Sequence, residues 1–288
     1  MSAGHAIQVT GVTVPADMAM PRLMGVLNCT PDSFHAASRV TCQTAIERGM
    51  AMLAAGADIV DVGGESTRPG AERVDADRQI ERVVPVIGAL RAGGAFSVSV
   101  DTTLARVADA AIRAGATMVN DVSGGTEDPE ILRVAARAGV ELVLMHRLRP
   151  PQAESYSDRY RHEPVYGDVV RQVGERLVQL AAAAERAGVA RKRITLDPGF
   201  GFGKSVEQNM EMLRRLAELT SMGWPILVGV SRKSFLGAVT GAADPADRLA
   251  PTLAAGLLAM QAGAAVLRVH DVVEHAAVRA VLRSTGRC

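Results

Sequence analysis

The sequence predicts a TIM-type (β/α)8 barrel entered through a short N-terminal β-hairpin, and three observations carry that prediction. A phrase recurs along the chain: an alanine-rich amphipathic stretch, a glycine, then a short β-branched run ending on a polar residue. The length, 288 residues, is ordinary for one barrel and long enough to bury a large core. The composition is 48% hydrophobic but only 3% aromatic, so the core rests on Val, Leu, Ile, Ala and Met, which suits a parallel sheet wrapped by helices.

The elements follow in order. Residues 1–20 hold Ile7-Gln8-Val9 and Val12-Thr13-Val14 around Gly11, a hairpin pattern that would plug the barrel bottom. The expected strands are residues 23–28, 59–61, 96–101, 118–120, 142–146, 194–197, 225–231 and 266–270. Five of them follow a helix-ending glycine: Gly56, Gly115, Gly139, Gly188 and Gly263. Glycine suits that position because it takes positive φ without steric cost. Eight strand-then-helix units fit a closed barrel better than an open sheet, although the count alone does not prove closure. No second domain is visible, so residues 1–288 read as one domain.

Alternate side chains of a strand share a face. Ser97, Ser99 and Asp101 therefore point one way and Val98 and Val100 the other; Arg268 and His270 oppose Leu267 and Val269; Thr195 and Asp197 oppose Ile194 and Leu196. The apolar faces pack under helices, which sends the polar set into the barrel mouth, where barrel active sites lie. The strand ends carry Asn28, Asp61, Asp101, Asn120, His146 and Asp197, then Ser231-Arg232-Lys233, then Arg268 with His270. One Asp at a strand end is ordinarily a helix cap or turn former. Eight polar ends in a row are not explained by capping.

Two chemistries meet in that ring. Asp101, Asn120 and Asp197 supply acceptors and an amide, matched to one edge of a flat heterocycle with amino, ring N–H and carbonyl groups. Arg68, Arg268 and His270 supply cationic donors, and Asn28 an oxygen for Mg²⁺, which suit a phosphate group. A substrate with a heterocycle at one end and a diphosphate at the other follows.

Other classes are disfavoured. The net charge is +1 with no basic stripe, against a nucleic-acid partner. Cys29, Cys42 and Cys288 form no CxxC pair, which fits a reducing compartment and gives no zinc signature. The N-terminus lacks the pattern of a secretory signal, so a cytoplasmic location is expected. Residues 250–267 carry no charge, but Pro251, Gly256, Gln261 and Gly263 divide them into helix, stop and strand rather than a membrane span. The stretch from Gly199 to Lys204 lacks the GxxxxGKS/T spacing of a nucleotide loop; its glycines suit close approach of backbone to a planar ligand. No Ser-His-Asp or HExxH pattern calls for a covalent nucleophile or a zinc-bound water.

Eight strings in order then make a specific resemblance. Met24-Gly25-Val26-Leu27-Asn28-Cys29-Thr30-Pro31-Asp32-Ser33-Phe34 and Asp61-Val62-Gly63-Gly64-Glu65-Ser66-Thr67-Arg68-Pro69-Gly70-Ala71 resemble the two signatures of the dihydropteroate synthases. Ser99-Val100-Asp101-Thr102, Asn120-Asp121-Val122-Ser123-Gly124 and Leu144-Met145-His146 are similar to further family strings. So are Asp197-Pro198-Gly199-Phe200-Gly201-Phe202-Gly203-Lys204, Ser231-Arg232-Lys233-Ser234-Phe235 and Arg268-Val269-His270-Asp271.

The resemblance implies a synthase that joins a pterin diphosphate to p-aminobenzoate. It implies that Asp101, Asn120, Asp197 and Lys233 grip the pterin edge, with Met145 and Arg268 against its faces. Asn28 would hold Mg²⁺ on the diphosphate, helped by Thr67, Arg68, Arg268 and His270. The p-aminobenzoate pocket would be formed by Phe34, Thr67, Arg68, Pro69, Phe202, Lys233 and Ser234. The substrate carboxylate would sit near the helix start at Ser234. Asp101, Lys233, Arg268 and His270 would carry the catalysis, an alkyl transfer with departure of diphosphate. A homodimer through helices far from the active face is also implied.

The chain departs from the family after Phe34, where His35-Ala36-Ala37-Ser38-Arg39 replaces a Ser-Asp-Gly-Gly-like turn. That loop is similar to those of sulfonamide-insensitive synthases, in which a remodelled wall rejects the drug's extra bulk. Several residues have blander readings. His35, His162 and His275 read as surface residues, and Met50, Met52, Met210 and Met212 as core filler. Tyr156, Tyr160 and Tyr166 lie in the long basic segment 147–167, which reads either as a plain loop, the default, or as a segment lapping over the site, and Arg232-Lys233 stays open between pocket and solvated turn. Two rival functions remain: a methyltetrahydrofolate-dependent corrinoid methyltransferase, which has no use for a diphosphate clamp, and a non-catalytic pterin-binding paralogue, supported only by the altered loop.

Overall fold

The computed structural model describes residues 20–29, 38–94 and 96–285. The hairpin expected before residue 20, Phe34 and His35 lie outside the described residues. Eight parallel strands form one sheet: β1 (Arg22–Asn28), β2 (Ile59–Gly63), β3 (Ser97–Asp101), β4 (Met118–Asp121), β5 (Glu141–Met145), β6 (Ile194–Asp197), β7 (Leu227–Val228) and β8 (Val266–Val269). Their order is β6-β5-β4-β3-β2-β1-β8-β7. The two ends meet through a parallel bridge between Leu196 and Ile226, where Leu196 N–H donates to Pro225 O at 2.9 Å. The barrel is thus nearly closed, as the strand count suggested.

Strand β7 is the one element much shorter than its sequence pattern. Pro225 has no N–H to give a ladder, and the chain already turns at Val230, whose carbonyl accepts Lys233 N–H. The helices between strands are α1 (Ser38–Ala54), α2 (Ala76–Ala92), α3 (Ala105–Arg113), α4 (Glu130–Ala138), α5 (Val169–Arg186), α6 (Val206–Arg214), α7 (Leu216–Thr220), α8 (Ser234–Thr240), α9 (Leu249–Gln261) and α10 (Val272–Ser284). Helix α6 starts on a capping box: Ser205 Oγ accepts Gln208 N–H and the Gln208 side chain accepts Ser205 N–H. Residues 250–267 resolve into α9, a turn and β8, and among the described residues no helix is long and apolar enough to cross a membrane.

The strand alternation sorts the core into two shells. Val98, Val100, Leu142, Leu144, Leu196 and Leu267 pack outward against helices. Met24, Ile59, Met118, Val143, Leu227 and Val266 form a separate cluster inside the barrel. Ser99, Asp101 and Thr195, on the inward face with that cluster, are buried.

Two expectations need correction. His275 is fully buried rather than on the surface; its Nδ1 lies 2.7 Å from Asp271 O, and its ring fills space left by the missing side chain of Gly256 on α9. Of the four methionines, Met212 is core and Met52 and Met210 are marginal, while Met50 faces solvent.

Candidate active site

At the C-terminal ends of the strands lies a cavity of about 440 Å³. With two exceptions, every residue predicted for the site lines it. Asn28 comes from the end of β1, and Thr67, Arg68 and Pro69 from the β2–α2 loop. Asn120, Met145 and Asp197 end β4, β5 and β6 or nearly so, and Phe202 follows on the β6–α6 loop. Lys233 and Ser234 stand where α8 begins, and Arg268 and His270 at β8. Phe34 is outside the described residues, and Asp101 is buried behind Arg268.

The parallel register brings the floor together. Asp61 lies beside Ser99, and Asp101 beside Asn120. Arg268 Nε donates to Asp61 Oδ2 and Arg268 Nη2 to Asp101 Oδ2, each at 2.7 Å. Asn120 Nδ2 donates to the same Asp61 oxygen at 3.0 Å. Two carboxylates therefore share one guanidinium. Burial, with Asp61 close by, pushes Asp101 up to about 7 against the pull of Arg268. Asp61 Oδ1, Asp101 Oδ1 and Ser99 Oγ are buried without a partner, open places for donors in a region where polar atoms are normally satisfied. Asp61 belongs to the polar ring, and only these contacts show what it does there.

The basic side differs from expectation in two ways. Arg268 commits two nitrogens to carboxylates, so its charge is already compensated. His270 is not the expected cation. The surrounding protein and then the Arg268 guanidinium hold its pKa below the ordinary value, so the ring is neutral at pH 7 although the residue stands at the exposed rim. Ser231 Oγ accepts the His270 backbone N–H at 3.2 Å and lies 3.0 Å from Nδ1, which holds the ring in place.

The open Arg232-Lys233 reading resolves toward the pocket. Arg232 takes φ 57° and stands at the cavity rim, its guanidinium meeting both oxygens of Asp271 at 2.9 and 2.6 Å. Lys233 turns into the cavity, with Nζ 4.1 Å from the Phe202 ring centroid. Burial and the Arg268 charge lower it to about 8, so it stays mostly protonated at pH 7.

The β6–α6 loop is fastened from below by a residue that sequence reading quoted without a role. Lys204 is fully buried, and its Nζ contacts Gly199 O (3.0 Å), Phe202 O (2.7 Å) and His146 Nδ1 (3.0 Å). An ammonium has three donors, and all three are used. Burial lowers Lys204 to about 7 and, with the Lys204 charge, His146 to about 2, so His146 is a neutral acceptor. It serves Lys204 and does not line the cavity. One sequence signal was available: the chain uses arginine almost everywhere, and its only lysines are Lys192, Lys204 and Lys233.

Segment 147–167 is not a plain loop. Tyr166 Oη donates to Gly203 O at 2.9 Å, Gln208 Nε2 to Pro164 O at 2.6 Å, and Asn209 Nδ2 to Ser157 Oγ at 3.1 Å. The segment is docked on the β6–α6 loop and places Tyr156 at the cavity.

Among the described residues no group of three His, Cys, Asp or Glu side chains is arranged to hold a metal. Asn28 offers one neutral oxygen to the cavity. That donor set fits only a hard cation whose remaining ligands arrive with a phosphate-bearing substrate and water.

A (β/α) barrel with this divided polar mouth defines an enzyme site for a flat heterocycle carrying an anionic group. Residues 24–270 match the pterin binding enzyme family, and the chain belongs to it. Within it the chain falls among the dihydropteroate synthases. The Synechocystis dihydropteroate synthase is 44% identical over 252 residues, covering 87% of this chain and 85% of that protein. The structure of Xanthomonas albilineans dihydropteroate synthase with 4-aminobenzoic acid superposes with a TM-score of 0.83 at 41% identity, covering 95% of this chain and 94% of that one. Yersinia pestis dihydropteroate synthase in complex with a sulfonamide drug gives a TM-score of 0.85 at 35% identity, covering 99% and 100%.

Proposed function

We propose that this chain condenses 6-hydroxymethyl-7,8-dihydropterin diphosphate with p-aminobenzoate and releases diphosphate, an alkyl transfer in folate biosynthesis. The observation that carries the reading is one cavity lined by Asn120 and Asp197 together with Arg68, Lys233 and Arg268, with Asp101 bound to Arg268 behind it. Asn120, Asp197 and Lys233 take the pterin edge, Asp101 acts from behind Arg268, and Met145 and Arg268 bound the faces. Thr67, Arg68, Pro69, Phe202 and Ser234 enclose the arylamine, with Phe34 as a further wall.

In the reaction a C–N bond forms between the amine and the pterin methylene. The C–O bond to diphosphate breaks, its electron pair leaves on oxygen, and the amine loses a proton. The carboxylates beneath the ring favour positive charge developing there. Arg68 and Lys233 offset charge on the leaving group, with His270 as a neutral polar group beside them. Asn28 would hold Mg²⁺, which when bound neutralises the diphosphate.

Pteroate formation with matching diphosphate release in the presence of magnesium, and its loss on chelation, is the expected result. Binding of the pterin diphosphate without turnover overturns the reading in favour of a non-catalytic paralogue. Methyl transfer to a corrinoid with no diphosphate released overturns it in favour of the methyltransferase.

Three narrower proposals follow. The glycine-free stretch after Phe34 makes the enzyme tolerant of sulfonamides, testable by growth of a synthase-deficient host carrying the gene with and without sulfamethoxazole. The active species is a homodimer, testable by light scattering. Its compartment is the cytoplasm, in keeping with free thiols at Cys29 and Cys42 and testable by fractionation.

A further inference from the structure

The β2–α2 loop carries Thr67, Arg68 and Pro69 over the cavity, yet none of residues 65–75 is buried. Apolar packing therefore does not fix it, and a loop of that kind is ordinarily among the first parts of a protein to open. Its order has to come from polar contacts: Glu65 at its start accepts Val74 N–H at 3.3 Å and lies 3.7 Å from Arg73, and a second carboxylate ties the loop to its neighbours. Glu127, on the β4–α4 loop, accepts Arg73 Nη1 at 2.7 Å and Thr103 Oγ1 at 2.6 Å on one oxygen, and Arg147 Nη2 on the other. Arg73 Nη2 also donates to Thr103 Oγ1 at 3.1 Å.

Arg73 belongs to the β2–α2 loop, Thr103 to the turn after β3 and Arg147 to the segment after β5. One side chain thus joins four consecutive loops of the active face. The Arg147 side chain is only 6% exposed, and its Nη1 has no partner, so Glu127 is its one strong anchor. The loop is pinned again nearer its tip, where Gly70 N–H donates to Pro151 O at 2.8 Å and Ala71 N–H returns to Arg68 O at 3.1 Å. Arg147 and Pro151 lie on the same segment, so the bridge through Glu127 also sets the height of the strand of chain on which Gly70 rests.

We infer that Arg73, Glu127 and Arg147 are positioning residues, which hold the β2–α2 loop over the cavity and so determine how well Thr67, Arg68 and Pro69 enclose the arylamine substrate. This rests on the function proposed above. An isolated exposed ion pair is worth little; three donors meeting on one half-buried carboxylate, with a partner of each on a different loop, restrict the loop far more.

The test uses the full chain. Arg73 is partly exposed, so Arg73→Met leaves no cavity in the core. Expected for that variant are a KM for p-aminobenzoate raised roughly 3- to 10-fold with kcat within about twofold, a coupling on the scale of one order of magnitude in an equilibrium. Amide exchange at residues 66–71 should quicken in the substrate-free protein, with the thermal midpoint little changed. Arg73→Lys should recover part of the KM, and Glu127→Gln should show the same KM and exchange changes together with a lower thermal midpoint, because the buried Arg147 loses its charge partner.

An unchanged KM with unchanged exchange overturns the inference. So does a fall in kcat that simply follows a fall in thermal stability. If the unmodified chain makes no pteroate, the functional reading has failed instead; exchange at residues 66–71 of the substrate-free variants then decides the positioning role alone, and no acceleration overturns it.

Discussion

Asp61 and Arg268 meet inside the barrel although 207 positions separate them, the carboxylate Oδ2 accepting the guanidinium Nε at 2.7 Å. The same oxygen accepts Asn120, and the other end of the guanidinium reaches Asp101. The cavity floor is therefore one unit, and Asp61 is its hinge pin: two groups that face the ligand take their orientation from a residue that does not line the cavity.

Replacing Asp61 by Ala should disturb that floor twice over. Breaking one side of a buried ion pair leaves an uncompensated charge and costs about 3–5 kcal/mol. Arg268 keeps Asp101, so the lower end of that range is expected in urea denaturation. Affinity for a pterin analogue should fall as well, because Asn120 and Arg268 lose their common anchor. A stability loss with undiminished affinity in calorimetry would mean that Asp61 only supports the barrel.

Lys204→Met removes three hydrogen bonds and leaves the Gly199 and Phe202 carbonyls without their donor. At about 1–3 kcal/mol for each of these two buried unsatisfied groups, a loss of about 2–6 kcal/mol is expected. The pH dependence has a definite sign. Burial holds Lys204 at about 7 in the folded chain, below its ordinary value of 10.5. Between those values the unfolded chain binds the extra proton, so this residue makes stability rise with pH through that window. Below pH 7 both states are protonated and the slope vanishes. The stability gap between the unmodified chain and Lys204→Met should therefore widen from pH 7 to pH 10; a constant gap would refute the buried-lysine account.

Two glycines with almost the same backbone angle give a matched test. Gly199 has φ +68°, and a Cβ there would stand 2.0 Å from His146 O. Gly139 has φ +64° with nothing within 4 Å. Gly139→Ala should cost only the left-handed backbone term, about 1–2 kcal/mol. Gly199→Ala has to displace the backbone beneath the cavity as well, and should yield insoluble or strongly destabilised protein. Equal denaturation midpoints for the two variants would contradict the packing at Gly199.

How far the sequence reached follows from the range of each signal. Ser99 and Asp101 against Val98 and Val100 could be read because a two-residue period states the face of a strand locally. The residues around the cavity could be read because each ends a strand, where barrels place their chemistry. Asp61 had the same mark but no role, since its value lies in contacts with Asn120 and Arg268 that no local pattern encodes. His146 was legible as polar, yet whether it faces ligand or Lys204 depends on how the β6–α6 loop folds beneath it. His275 reads as a surface group in the sequence; its burial follows from Gly256 on a neighbouring helix. Strand β7 looks long in the sequence because its apolar run continues beyond Val228 to Val230, where the chain already bends to send Lys233 into the cavity.

The charge at Lys233 sets the last expectation. Burial and Arg268 lower this lysine to about 8, whereas His270 is already neutral at pH 7. A cation that assists a diphosphate leaving group is present below its pKa and lost above it. The kcat/KM for the pterin diphosphate should therefore not fall as pH rises through the ordinary histidine range, and should fall above about pH 8. Lys233→Arg keeps a positive charge at every pH in that range. Its activity will be lower, because the guanidinium does not reproduce the ammonium's fit against Phe202 and Gly201. What matters is the shape of its profile. With the decline above pH 8 abolished, Lys233 is the group that titrates; with the decline retained, another group controls the basic limb and the leaving-group role belongs elsewhere in the cavity.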